Sequence, residues 1–321
     1  MAQLHGLHHV TAVTGDVNIN YQFYTRVLGL RLVKRTVNQD DTSAYHLFYA
    51  DKLGSPGTDM TFFDWSMLPP NRRGTDSIVN TQFRVNGQAA LDYWVKRLDD
   101  HQVTHEPISE FNGRAVLRFD DPEGQRLTLV DDGGAPISGE VWDGADVPVE
   151  MALRGFYAVT LSVPDLNRMA LILTRVLDFS EVDRFTHPTN PKLRAAVFAM
   201  DGGGAGKEVH VIEEPQAVYA QLGRGGVHHV AFRVTDDAEQ VDWEERLTRI
   251  GVPTSGQVDR FYFKSLYFRI SNGILFELAT DGPGFAADED PTALGERLAL
   301  PPFLEPQRAQ IEAGLKPITA L

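Results

Sequence analysis

Four segments of this chain repeat one pattern, and that repetition limits the fold more than any other feature. The segments are Leu7-His8-His9-Val10-Thr11-Ala12-Val13, Val79-Asn80-Thr81-Gln82-Phe83-Arg84-Val85, Phe156-Tyr157-Ala158-Val159-Thr160-Leu161-Ser162-Val163 and Val227-His228-His229-Val230-Ala231-Phe232-Arg233-Val234. Aligned, they place residues 9, 80, 158 and 229 at equivalent positions, spaced 71, 78 and 71 residues apart. A fixed period of this kind marks one structural unit used several times. Each segment reads as a strand. Each is followed by a stretch with apolar residues at helical spacing, over 17–28, 87–100, 164–177 and 237–250, as in Leu91, Trp94, Val95 and Leu98. Asp16, Pro164-Asp165 and Asp236-Asp237 supply helix starts. Blocks one and three share Thr-Arg-Val-Leu after the helix, at 25–28 and 174–177. Strand-like runs follow, joined by turns such as Asp120-Asp121-Pro122-Glu123-Gly124 and Ser271-Asn272-Gly273; Asn-Gly is a strong hairpin signal. The unit is therefore strand, helix and about three strands. One such unit leaves a face of its sheet exposed, so units should pair. Boundaries are expected at 1–70, 71–145, 146–220 and 221–282. Residues 283–321 depart from the repeat and form a C-terminal arm, helical over 306–314.

At 321 residues the chain has room for about two domains with sizeable cores, so a metal is not needed for folding and would serve function. A formal charge of -14 disfavours nucleic acid as a partner. No cysteine is present, which removes disulfide and thiolate chemistry and fits a reducing compartment. No basic region with a following apolar stretch opens the chain, and no apolar run is long enough to span a membrane, so a cytoplasmic protein is expected. A homo-oligomer is compatible with all of this.

The chemistry concentrates in two His-His pairs, His8-His9 and His228-His229, each opening a unit after an apolar residue and before Val. Neighbouring strand residues point to opposite faces, so His9 can share a face with His229, or His8 with His228. The other two units carry Asn80 and Ala158 at the position of His9 and His229. Glu277 lies in the otherwise apolar run Ile274-Leu275-Phe276-Glu277-Leu278, where block two has Thr128. A carboxylate there is costly to bury unless paired or metal-bound. Two imidazoles and a carboxylate suit a divalent metal with open positions. A strand histidine more often makes ordinary hydrogen bonds, and His5, His46, His101, His105, His187 and His210, which lack matched partners, are read that way.

With His at the start of units and Glu on a final strand, the chain resembles the vicinal oxygen chelate superfamily, and more narrowly ring-cleaving dioxygenases of the hydroquinone 1,2-dioxygenase type. The likeness covers nearly the whole chain. It is carried by Leu7 to Thr11, Val33-Lys34-Arg35-Thr36-Val37, Tyr45-His46-Leu47, Leu53 to Thr58, Gly226 to Phe232, Asp259-Arg260, Tyr262-Phe263-Lys264-Ser265 and Leu300-Pro301-Pro302-Phe303-Leu304-Glu305. The resemblance implies an α+β fold, in which four βαβββ modules form two incomplete β-barrels, U-shaped sheets with outer helices. It implies ferrous iron on His9, His229 and Glu277, with His8, Thr11, His228, Arg260 and Tyr267 around iron and substrate. It implies extradiol-type cleavage of an aromatic diol, a hydroquinone, by O2. Manganese, zinc and nickel are alternative metals. One rival is a glyoxalase-like isomerase or lyase using zinc or nickel, which would add a second carboxylate; Asp64, in Met60-Thr61-Phe62-Phe63-Asp64, is the nearest candidate. The other rival is a non-catalytic binder of small aromatics. If His9 joins His229 and Glu277 on one metal, block one must face block four, and blocks two and three must pair as a metal-free half.

Overall fold

The computed structural model describes residues 2–137, 139–186, 190–270 and 273–319. The expected turn residues Ser271 and Asn272, and His187, lie outside them. The first module comprises β1 (Leu7–Thr14), α1 (Val17–Gln22, continued by a π-helical turn over Phe23–Val27), β2 (Arg31–Asn38), β3 (Asp41–Ala50) and β4 (Asp59–Asp64). The second has β5 (Ser77–Val85), α2 (Gly87–Asp100), β6 (Ser109–Phe111), β7 (Arg114–Asp120) and β8 (Arg126–Asp131). The third has β9 (Phe156–Val163), α3 (Leu166–Leu171, with a π-helical turn over Ile172–Val176), β10 (Ser180–Thr186), β11 (Arg194–Ala199) and β12 (Glu208–Glu213). The fourth has β13 (Val227–Val234), α4 (Asp237–Arg249), β14 (Thr254–Asp259), β15 (Lys264–Ile270) and β16 (Ile274–Thr280). The wording shared by blocks one and three thus encodes a shared π-helical turn.

These strands form two eight-stranded sheets, in the orders β14-β15-β16-β13-β1-β4-β3-β2 and β10-β11-β12-β9-β5-β8-β7-β6. Module one joins module four through antiparallel β1 and β13, and module two joins module three through β5 and β9. Within a module the first strand lies parallel to the last, as β1 does to β4, a connection that the intervening helix makes possible. The helices cover the sheets' outer faces. Leu91, Trp94 and Leu98 of α2 and Trp243 and Leu247 of α4 are buried, each removal from water contributing roughly 1.5–3 kcal/mol.

Both central pairings carry two β-bulges. In the first sheet, register shifts lie between Leu7 and His9 on β1, and opposite the step from Thr11 to Ala12, where β13 passes from His229 to Val227. The bulged residues are therefore His8 and His228. A bulge breaks the strict alternation of faces, which corrects the expectation that only one histidine of each pair could serve a given face. In the second sheet, the bulges fall at Val79 and Tyr157.

The C-terminal arm lies along β2. Phe285 packs against Phe48 and Tyr262, the Ala299 N–H donates to the Arg35 carbonyl, and Leu300, Leu304 and Ile311 cover Val37. Its helix α5 spans Arg308–Gly314. No helix among the described residues is long and apolar enough to cross a membrane.

Candidate metal centre

His9 on β1, His229 on β13 and Glu277 on β16 meet on the inner face of the first sheet. His9 Nε2 is 3.2 Å and His229 Nε2 2.9 Å from Glu277 Oε2, and the two nitrogens are 3.3 Å apart. Donor atoms on one face of an octahedron with bonds of roughly 2.1 Å stand about 3.0 Å apart, so this triangle has the size a divalent ion needs. All three side chains are buried, and neither Glu277 oxygen accepts a hydrogen bond despite full burial. Among the described residues this is the one cluster of three metal-ligating groups.

Proton positions point the same way. The Thr280 carbonyl can only accept, so His8 Nε2, 3.1 Å away, donates to it. Burial, reinforced by neighbouring His9, pushes the pKa of His8 down to about 3. Its Nδ1 therefore carries a lone pair and accepts from His9 Nδ1–H at 2.9 Å. In a neutral His9 this leaves Nε2 bare, aimed at the site. Burial also lowers the His229 pKa, against the pull of Glu277. Burial works against the charged form of Glu277, yet the two imidazoles beside it hold its pKa well below the usual carboxylate range. A charged carboxylate and a bare imidazole nitrogen, converging in a buried space, are satisfied together by a cation. The residues fit a metal ion.

The metal-facing cavity is small, about 30 Å³. His46, Phe48, Phe63, Tyr262, Phe263 and Tyr267 supply most of its ring walls, and Arg260 closes one side. Arg260 lies 5.4 Å from the Tyr267 ring centroid and pairs with Asp40 at 2.8 Å. Burial, with Glu277 nearby, pushes the Tyr267 hydroxyl pKa up and keeps it protonated. Thr11 is buried and hydrogen-bonded to Thr61 at 2.7 Å, and Thr61 to His46 Nε2 at 3.0 Å. His228 meets His229 Nδ1 through its own Nδ1 at 2.7 Å and faces the rings of Phe63 and Trp65.

His46, Phe48, Phe63 and Phe263 were not singled out from sequence as cavity residues. Alternation along β3 would have placed His46 and Phe48 on one face, but choosing that face requires the register of β3 against β4, where His46 opposes Phe63. Burial pushes the His46 pKa well below the ordinary value, helped by His9 and His229.

Register also identifies the position of Glu277 in each module. Glu277 stands beside Ala231, Thr128 beside Gln82, His210 beside Thr160 and Thr61 beside Thr11. The place where a second carboxylate would complete the site is therefore Thr61, and Asp64 lies three residues farther along β4, outside the cluster. In the other half, His210 bonds to Gln82 and Glu208 while Asn80 bonds to Thr128, so these polar groups satisfy one another. His5 pairs with Glu239, His105 pairs with Asp99, and His101 caps α2.

A profile of the Glyoxalase/Bleomycin resistance protein/Dioxygenase superfamily matches residues 6–129 and 155–285. Over 316 residues, 98% of this chain and 99% of the relative, the sequence is 46% identical to the provisionally named ring-cleaving dioxygenase MhqA of Bacillus subtilis (strain 168). It is 31% identical over 311 residues to a chlorohydroquinone/hydroquinone 1,2-dioxygenase of Sphingobium indicum, covering 94% of this chain and 93% of that one. A crystal structure of a provisionally named dioxygenase from Bacillus subtilis superposes with a TM-score of 0.91 at 35% identity, covering 100% of this chain and 99% of that one.

Proposed function

The chain belongs to the Glyoxalase/Bleomycin resistance protein/Dioxygenase superfamily, and from that premise we propose that it is a ring-cleaving dioxygenase, with ferrous iron on His9, His229 and Glu277, acting on an aromatic diol of the hydroquinone class. The observation that carries this reading is the three-donor face opening onto a cavity walled by aromatic rings. Thr61, in place of a second carboxylate, favours it over a glyoxalase-like site. The names of the full-length relatives supply the substrate class.

Ferrous iron, when bound, supplies adjacent open coordination positions and electron transfer toward O2. The protein does the rest. Phe48, Phe63 and Phe263 hold a flat ring and exclude water. Arg260 places a positive charge where a substrate phenolate would stand, and the protonated Tyr267 hydroxyl can donate to an oxygen on the ring. His46, kept neutral by burial, can accept a hydrogen bond from a substrate hydroxyl, while Thr61 holds its Nε2 edge. A cavity of about 30 Å³ holds water but not a benzene ring, which occupies engineered cavities of about 150 Å³. Substrate entry therefore requires a wall to move, and Arg260, tied to the exposed Asp40 turn, is the side chain placed to do so.

The test is anaerobic loading with ferrous iron, followed by oxygen uptake with hydroquinone and catechol in parallel. One O2 consumed per hydroquinone with a ring-opened product is the expected result. No uptake with either diol, or isomerase activity that depends on zinc or nickel, overturns the reading.

A further inference from the structure

The two ligand imidazoles each lean on a neighbouring histidine, but the pairs end differently. On the His9 side, the relay ends on the Thr280 carbonyl, so the protein alone decides which nitrogen of His9 carries the proton. On the His229 side, the His228 ring bonds through Nδ1, and its Nε2 has no hydrogen-bond partner among the described residues. His228 instead stands in the wall of a cleft of about 440 Å³ where the two half-barrels meet.

That cleft suits an anion. Arg73, Arg126 and Arg269 line it with one carboxylate, Asp76, a local excess of positive charge on a chain of net charge -14. Arg73 is engaged by Asp120 and Arg269 by the Gly273 carbonyl, but the Arg126 side chain has no ion pair or hydrogen bond among the described residues. The cleft therefore offers more cationic than anionic side chains, which fits a ligand carrying a carboxylate group.

We propose that this cleft binds a small organic carboxylate against Arg126 and Arg269, and that a carboxylate oxygen accepting from His228 Nε2–H makes His228 a positioning residue for His229. With Nε2 donating, His228 Nδ1 becomes the acceptor for His229 Nδ1–H, and His229 Nε2 is left bare toward the metal position, as His9 Nε2 already is. The ligand class, though not the site, rests on the ring-cleavage reading. Breaking the bond between a hydroxylated ring carbon and its neighbour, with one oxygen atom of O2 entering at each, gives a carboxylic acid and an aldehyde. Hydroquinone thus gains both atoms of O2 and loses none of its own, becoming an open chain that keeps its second hydroxyl and needs no other oxidant. The reaction's own product is therefore of the class that the cleft fits.

The experiment titrates cis,cis-muconate into the metal-free full-length protein. It follows intrinsic tryptophan fluorescence, since Trp65 lies 5.4 Å from the His228 ring, and the imidazole nitrogen resonances of the four site histidines. Saturable binding that moves the His228 and His229 resonances, but not those of His8 and His9, is expected. Arg126 and Arg269 are exposed, so Arg126→Gln with Arg269→Gln should keep the fold while weakening binding about tenfold or more. The proposal is overturned by affinity unchanged in that double variant, by binding that disappears with Arg260→Ala instead, by occupancy that leaves the His228 and His229 resonances still, or by inorganic phosphate binding more tightly than muconate. Metal-free protein does not turn over, so any of these results leaves the ring-cleavage reading to the oxygen-uptake assay.

Discussion

At the scale of single residues, the site depends on where protons sit. His8 both donates to Thr280 and accepts from His9, which gives it a role beyond packing. His8→Leu removes the acceptor that fixes His9 and should weaken metal affinity about 10- to 100-fold. His8→Asn keeps an acceptor oxygen near the Nδ1 position and should recover most of the loss; calorimetric titration of the two variants with Co(II) compares them. A second titratable group lies away from the site. Burial raises the Asp121 pKa to about 6, although the N–H groups of Gln125 and Glu123 and the Tyr24 hydroxyl donate to it and pull the other way. Its folded pKa is thus above the unfolded value, near 3.8. Between about pH 4 and 6 the native chain holds a proton that the unfolded chain releases, so stability is lost as pH rises through this window. The contribution is at most about 3 kcal/mol. Urea unfolding at pH 4.5 and 7 should show Asp121→Asn gaining stability relative to the parent protein as pH rises; an unchanged difference would mean that Asp121 is ionised throughout.

At the scale of elements, two devices shape the cavity. The bulges at His8 and His228 bring side chains adjacent in sequence into contact, Nδ1 to Nδ1, at the point where β1 and β13 pair. The second device is the C-terminal arm. Lys34 on β2 is fully buried between Asp288 at 2.7 Å and Glu289, and its ammonium sits 4.6 Å from the ring centroid of Tyr262, which walls the cavity. Lys34→Met leaves buried Glu289 with only Arg297, 3.6 Å away and largely exposed, as its counter-charge, and should cost about 3 kcal/mol. Adding Glu289→Gln to Lys34→Met should recover much of that loss, because the stranded charge is gone. Thermal melts report the cost. Limited proteolysis should show the arm beyond residue 283 released in the single variant and protected again in the double.

At the scale of the whole molecule, the chain's two ends meet. His9 and Glu277 come from the first and last modules, so the candidate site forms only when β1 finds β13 across more than 200 intervening residues. The β5–β9 pairing closes a far shorter loop. Non-local pairings carry the larger closure cost and form slowly. In refolding from urea, the Co(II) absorption of a formed site should therefore lag the recovery of far-ultraviolet circular dichroism; simultaneous recovery would contradict this order. Deleting residues 227–282 should abolish metal binding altogether, because two of the three donors and the partner strand of the third go with them.

Much of this was legible along the chain. Strand and helix periodicities are local, so the βαβββ unit and its four copies can be read from residues a few positions apart. Repetition then isolates what does not repeat: His9 and His229 against Asn80 and Ala158, and Glu277 against Thr128. Other properties exist only in register. Whether adjacent histidines share a face depends on a bulge, an extra residue measured against a partner strand, and nothing within Leu7-His8-His9-Val10 encodes its place. Thr61 becomes the counterpart of Glu277 only because β4 lies beside β1 with Thr61 opposite Thr11. His46 becomes a cavity residue only because β3 turns that face inward. The asymmetry between His8, anchored on Thr280, and His228, open to a cleft, arises from packing between segments about 270 residues apart in one case and between two half-barrels in the other. Side-chain chemistry is a property of sequence, whereas the proton each ring holds is set by the neighbour that folding brings to it.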